Sequence, residues 1–325
     1  MDASLALGRR WRGQPGRLEA WYATLSDPGT GMGCWVHHEI VAPARGEARH
    51  HGWTAVFLPD AAPLFERFGP FACPPPPVRD GSGRDGGGGP PVEPVDGIVF
   101  EPPALRGARG RLAWDLRWDE GASPAALFTF PAWAWRREVL PAAQVVPVAS
   151  APFTGWLEVD GRRHALGQAA RGTLGHIYGH GNAERWGWVH AELGAGDVLE
   201  VVTATSRRPG LRHLPPLAFV QLRVGGRAWP RDPLVAAPLL RTHLGLPTWT
   251  VAGTVGRWRL RVRVTIPVER AVRVGYRDPD DAAATCTNSE AADAEIVLEH
   301  RRPRWEVAAR WSIEGGAHAE VGTRP

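Results

Sequence analysis

Apolar and polar residues alternate in short runs along almost the whole chain, and helical spacing is scarce. Residues 18–25, 34–41, 53–58, 98–101, 111–118 and 127–130 read as strands in the first half. In the second half the same pattern predicts strands at 153–159, 174–179, 185–193, 198–205, 219–224, 249–255, 257–266, 273–276, 295–300 and 305–313. Many strands with few helices predict an all-β protein built from antiparallel barrels or sandwiches.

The punctuation between runs supports this reading. Asp160-Gly161 and Gly225-Gly226 supply residues that accept positive φ, as two-residue hairpin turns require. Asp27-Pro28-Gly29 fits a turn joining the first two strands. Residues 73–95 hold Pro74-Pro75-Pro76-Pro77 and Gly86-Gly87-Gly88-Gly89, and cannot bury enough apolar surface to order themselves. They read as a disordered insertion in a first domain spanning residues 1–145. Pro141, Pro147 and Pro152 interrupt the strand pattern and place a boundary before a second domain, residues 146–325.

Length and composition fit two domains with real cores: 325 residues, 43% hydrophobic and 22% charged. No apolar run reaches the roughly 20 residues of a membrane helix, and residues 1–16 lack the apolar centre of a signal peptide, so a cytoplasmic protein is expected. The net charge is +4, but Arg257, Arg259, Arg261 and Arg263 alternate with Trp258, Leu260, Val262 and Val264. That is the solvent side of a strand, so no nucleic-acid partner is expected.

All basic residues are arginine, which excludes Schiff-base, pyridoxal-phosphate and P-loop lysine chemistry. Cys34, Cys73 and Cys286 are odd in number and far apart, which argues against a disulfide framework or structural zinc. There is no G-x-S-x-G elbow and no His-x-His, so neither a serine hydrolase nor a metal site is expected.

One six-residue pattern occurs twice. Trp35-Val36-His37-His38-Glu39-Ile40 returns as Trp188-Val189-His190-Ala191-Glu192-Leu193, and each copy has a tyrosine upstream, Tyr22 or Tyr178. An internal duplication would explain it. The richest chemistry surrounds the second copy. In extended conformation His176, Tyr178 and His180 share one face, and after a turn Trp186, Trp188, His190 and Glu192 share another. If the two strands pair, both faces look into one space. Indoles would stabilise a cation there, while His, Tyr and Glu would donate and accept protons. In the first copy Trp35, His37 and Glu39 share a face. For His38 alone, a satisfied strand histidine is the expected role.

At these residues the chain resembles the lipocalin-like two-barrel proteins related to carotenoid 1,2-hydratase, tocopherol cyclase and natural-product pericyclic cyclases. Glu19-Ala20-Trp21-Tyr22 is similar to the Glu-Gly-Trp-Tyr strand that opens their first domain. Residues 175–188, with Tyr178, His180 and Asn182, resemble the glycine-tyrosine-histidine-asparagine strand, turn and Trp-x-Trp strand of their second, with Phe153-Thr154-Gly155 and Asp160-Gly161 as its lead-in. Ala183-Glu184 stands where Trp-Gly is common.

The resemblance implies two lipocalin-like (calycin-type) antiparallel β-barrel domains in tandem and a deep apolar cavity. It implies a cofactor-independent hydratase, cyclase or isomerase acting on an apolar polyene, prenyl or polyketide substrate. Glu192 or Tyr178 would be the acid, oriented by His176, His180 and Asn182. Trp186, Trp188, His190, Trp35, His37, Glu39 and Tyr22 would line the ligand site. A peripheral membrane contact would let such a protein collect its substrate. The alternative is a non-catalytic binder of a hydrophobic small molecule, for which the cavity needs no proton-transfer group.

Overall fold

A computed structural model describes residues 6–76, 91–122, 126–130, 132–137 and 141–325. Most of the expected insertion, residues 77–90, lies outside them. The fold is all-β, in two antiparallel, lipocalin-like barrels.

The first sheet opens with a meander of β1 (Arg17–Asp27), β2 (Met32–Ala42), β3 (Arg49–Phe57) and β4 (Leu64–Ala72). It continues through β5 (Val99–Glu101), β6 (Ala104–Arg109), β7 (Leu112–Trp118) and β8 (Leu127–Phe128), and a short helix, α1 (Ala132–Arg137), follows. The last three strands are β9 (Ala142–Val159), β10 (Arg162–Ala165) and β11 (Arg171–Gly179). The order is β4-β3-β2-β1-β11-β9-β7-β6-β5, with β8 and β10 also on β9.

The second sheet holds β12 (Arg185–Gly194), β13 (Asp197–Thr205), β14 (Leu217–Val224) and β15 (Arg227–Trp229). The short helix α2 (Pro233–Ala236) leads to β16 (Leu240–His243), β17 (Thr248–Val255), β18 (Trp258–Thr265), β19 (Val272–Arg277), β20 (Ala283–Arg302) and β21 (Arg304–Thr323). Its order is β15-β14-β13-β12-β21-β20-β18-β17-β16, with β19 on β20.

The two orders match term by term, with β1 equivalent to β12 and β11 to β21. This is a repeated architecture, but the repeated hexapeptide does not mark it. Its copies lie on β2 and β12, which are not equivalent strands. A better mark is a glycine under an aromatic ring. Tyr22 of β1 pairs with Gly175 of β11, and Trp186 of β12 pairs with Gly322 of β21. A Cβ on either glycine would lie about 2 Å from the ring opposite, at 2.1 Å and 2.0 Å.

The chain leaves the first sheet after Gly179 and enters the second at Arg185, so a division between residues 145 and 146 would cut β9. Pro147 and Pro152 lie within that strand. Pro147 falls where the β9–β11 register shifts, between Val145 opposite His176 and Val148 opposite Leu174, so its missing N–H interrupts no regular ladder. The predicted turns form as expected. Asp160 and Gly161 join β9 to β10 with φ of 52° and 76°, and Gly225 and Gly226 join β14 to β15 with φ of 55° and 73°.

Strand alternation divides most of the buried side chains described among three large cores, beside a small cluster of Leu127, Val146, Ala149 and Val198. Trp21, Ala23 and Leu25 of β1 and Cys34, Val36 and Ile40 of β2 fill the first barrel. Val189 and Ala191 of β12, with Leu199 and Val201 of β13, fill the second. The opposite faces of these strands meet between the barrels, where Tyr22, Trp35 and Trp53 pack with Trp186, Trp188 and Tyr276. Trp21, Trp53, Trp114 and Trp249 are fully buried core residues. Among the described residues no helix is long and apolar enough to cross a membrane.

Candidate functional site

The third core does not close completely. It leaves a cavity of about 770 Å³ between the outer walls of the two barrels. The first barrel contributes Ala20 and Tyr22 of β1, Trp35, His37 and Glu39 of β2, and Gln144 of β9. The second contributes Trp186 and Trp188 of β12, Tyr276 of β19 and Glu320 of β21. Pro141, His180, Arg208 and Leu217 also line it and are exposed, so they mark its mouth.

Two carboxyl groups that line the cavity, one from each barrel, have their pKa values shifted in opposite directions. Glu320 is half-buried, and its desolvation pushes its pKa up; the indole N–H of Trp186 donates to its Oε1 at 2.8 Å and the Cys286 thiol donates to its Oε2 at 3.4 Å. For Glu39, burial alone would also raise the pKa, but His37 and His51 outweigh it and bring it down to about 2. His37 Nε2 lies 3.3 Å from Oε2 of Glu39, and His51 Nε2 lies 3.3 Å from Oε1. Burial lowers the pKa of His37 itself. The His37 ring is stacked on Trp53, with centroids 4.0 Å apart and planes at 3°, which fixes its direction.

Tyr276 stands between these groups. Its ring centre lies 6.2 Å from both His37 and Trp186, and burial, followed by Cys286, Glu320 and Glu39, raises its pKa and keeps it a neutral phenol. On the other wall the Gln144 amide donates to the Tyr22 hydroxyl at 2.7 Å and to Glu200 at 2.9 Å. Glu200 also accepts from the Trp188 indole at 2.7 Å and from His190 Nδ1 at 2.9 Å. With its oxygen accepting from Gln144, Tyr22 keeps its own hydrogen to donate into the cavity. Burial, followed by Glu200, raises its pKa well above the ordinary value.

Eight of the twelve expected site residues reach the cavity: Tyr22, Trp35, His37, Glu39, His180, Asn182, Trp186 and Trp188. Asn182 is tied down there, since its backbone N–H and its amide both donate to Asp278. Arg17 donates to His180 Nδ1 at 3.0 Å. The other four point elsewhere. Tyr178 joins the first-barrel core. His176 is fully buried against Glu19 at 2.8 Å and the carbonyl of Ala6 at 2.6 Å, stacked on Trp21. With Glu19 accepting from the N–H groups of Arg10 and Trp11, this pair anchors the N-terminal segment. His190 is held behind the wall by Glu200. Glu192 accepts from Ser150 at 2.8 Å and lies 3.7 Å from Arg171.

The reason is topological. β11 pairs with β1 and β9, while β12 pairs with β13 and β21, so the two strands do not share the face that pairing them would give. Gln144, Tyr276 and Glu320 complete the site and were not legible as candidates. The scarcity of tyrosine was the one available signal for Tyr276.

A tocopherol cyclase-like family model matches residues 106–323. Two Mycobacterium tuberculosis proteins described as uncharacterised, one from each of two strains, are 49% identical over 315 residues, covering 97% of this chain and 89% of theirs. Among solved structures, CghA with Sch210972 superposes with a TM-score of 0.60 at 16% identity, covering 95% of this chain and 88% of that one. Kievitone hydratase from Nectria haematococca gives 0.55 at 11% identity, covering 96% and 91%. A putative AttH from Nitrosomonas europaea gives 0.55 at 14% identity, covering 94% and 92%. These structural likenesses carry the fold.

Proposed function

Because this chain belongs to the tocopherol cyclase-like family, we propose that it is a cofactor-independent hydratase, cyclase or isomerase working by acid–base catalysis on an apolar polyene, prenyl or polyketide substrate in the inter-barrel cavity. One observation carries the reading. Two carboxyl groups lining the same cavity, Glu320 and Glu39, have their pKa values pushed in opposite directions, up for Glu320 and down for Glu39. Carboxyl pairs whose surroundings push their pKa values apart divide the acid and base roles between them.

Glu320 is the acid. Its proton goes to an alkene carbon or a carbonyl oxygen, leaving Glu320 as a carboxylate held by the Trp186 N–H. Indole faces of Trp35, Trp186 and Trp188 stabilise the cation that develops. Glu39, with His37, accepts a proton from the substrate or from an attacking water. Tyr22 and Tyr276 stay neutral and donate hydrogen bonds to a substrate oxygen. The acid role therefore passes from Glu192 or Tyr178, which lie outside the wall, to Glu320.

Native mass spectrometry of the purified protein identifies a co-purified apolar molecule, and turnover of that molecule or its precursor is then measured. Glu320→Gln is expected to lower kcat by roughly 10²–10⁴-fold while the ligand still binds. Full turnover by E320Q would overturn the assignment of the acid.

A further inference from the structure

The mouth of the cavity has a surface that substrate chemistry inside it does not use. The loop between β13 and β14, residues 206–216, joins two strands whose ends both line the cavity, Thr205 on one side and Leu217 on the other. The loop is compact. The Leu211 N–H donates to the Arg208 carbonyl at 2.9 Å, and the Leu214 N–H to the Leu211 carbonyl at 3.0 Å. Yet Leu211, Leu214 and Leu217 are exposed by 42%, 55% and 46%. α2 and the turn after it pack on β14 and expose Leu234, Val235 and Leu239. Of ten exposed large hydrophobics among the described residues, six fall between 211 and 239. Leu211, Leu214 and Leu217, three within seven residues on one compact loop at the cavity mouth, mark an interaction surface, since single exposed leucines need no explanation but clusters do.

The charge of the same stretch says what it fits. The loop residues 206–216 hold Arg207, Arg208 and Arg212 and no acid, and the one acid leading into α2 is Asp232. The Asp232 carboxylate is occupied in capping α2, accepting from Leu234 N–H at 2.9 Å and Val235 N–H at 3.3 Å. Arg207 is tied to Asp278 and Asp280. Arg208 is exposed with no acidic partner among the described residues, and the Arg212 side chain donates to His213. Exposed leucines with Arg208 and Arg212 exposed in the same loop match the interface of a bilayer carrying negative headgroups.

We propose that this end of the second barrel docks on an anionic lipid surface, with Leu211 and Leu214 entering the headgroup boundary and Arg208 and Arg212 pairing with lipid phosphates. Docking sets the cavity mouth against the bilayer, so an apolar substrate passes inward without crossing water. The purpose rests on the apolar-substrate reading above; the surface itself does not.

Flotation of the full chain with phosphatidylcholine vesicles, with and without phosphatidylglycerol, tests it. The wild type is expected to float with the anionic vesicles and to be released by high salt. R208A/R212A should weaken partitioning by roughly thirtyfold, the effect of two basic groups at a charged surface. L211D/L214D should abolish it. Val268→Asp, at an exposed position outside the patch, should leave it unchanged, and E320Q should float like the wild type whatever it does to turnover. Absence of flotation by the wild type overturns the proposal, as does equal loss in V268D. So does sedimentation velocity showing that L211D/L214D turns a dimer into a monomer, because the patch then covers a second copy of the chain.

Discussion

The same short sequence does different work on β2 and on β12. On β2, Trp35, His37 and Glu39 all face the cavity. On β12 only the tryptophan does, since Trp188 lines the cavity while His190 and Glu192 run on past it. Local alternation is identical in the two strands. What differs is the company. Across from β2 stands Tyr276, its ring 6.2 Å from His37, with open space between the walls. Behind Trp188 stands Glu200, which takes the His190 proton donor, and then Ser150, which takes Glu192. A carboxylate on a strand face becomes a reactive group only where the opposite wall stands back from it.

The largest expected effect separates the two glutamates. Glu39→Gln should lower kcat by roughly 10²–10⁴-fold, the range for losing a general base. Glu192→Gln should change it by less than about threefold, because its contacts lie outside the wall. Equal losses in both variants would erase the distinction between the copies.

The pH profile sharpens the contrast between Glu39 on one barrel and Glu320 on the other. Glu320 must be protonated to act and its pKa is raised, so kcat/KM should be full below that pKa and fall about tenfold per unit as pH rises through it. Glu39, at about 2, stays ionised across the working range and gives no acid-side loss. An activity that falls from neutral toward pH 5 in a folded enzyme would contradict both assignments.

Next in size is stability. His190→Ala removes a fully buried side chain and one of the donors to Glu200, and should cost about 2–3 kcal/mol in denaturant unfolding. His190 would then prove structural and His37 functional, if His37→Ala lowers turnover without lowering ligand binding. Smaller still, Gly175→Ala and Gly322→Ala should each cost about 1–3 kcal/mol by forcing Tyr22 or Trp186 off its seat. Comparable costs at the two sites would support the equivalence of β11 with β21. A neutral substitution at one would break it.

Much of the strand content was legible, because alternation follows from the pleat alone. Residues 18–25, 34–41 and 198–205 fall inside β1, β2 and β13. Short edge strands such as β10 and β16 carry too few residues to show a period. The long strands β9, β20 and β21 were read as fragments, since prolines, glycines and polar residues interrupt them where the register shifts. At the site, Trp35, His37 and Glu39 were found by the face they share. Glu320 was not, because nothing near it in the chain sets it apart. Its chemistry comes from Trp186, 134 positions away, and Cys286, 34 positions away.

The sequence by itself determined the all-β class, the hairpin turns at Asp160-Gly161 and Gly225-Gly226, and which residues share a strand face. Those depend on covalent geometry and on neighbours within a few residues. Only the tertiary structure decided which face looked into a barrel and which into the cavity between barrels. It also decided in which direction each cavity carboxyl shifts its pKa. Both are set by strand pairing and burial, and these join residues that the chain holds far apart.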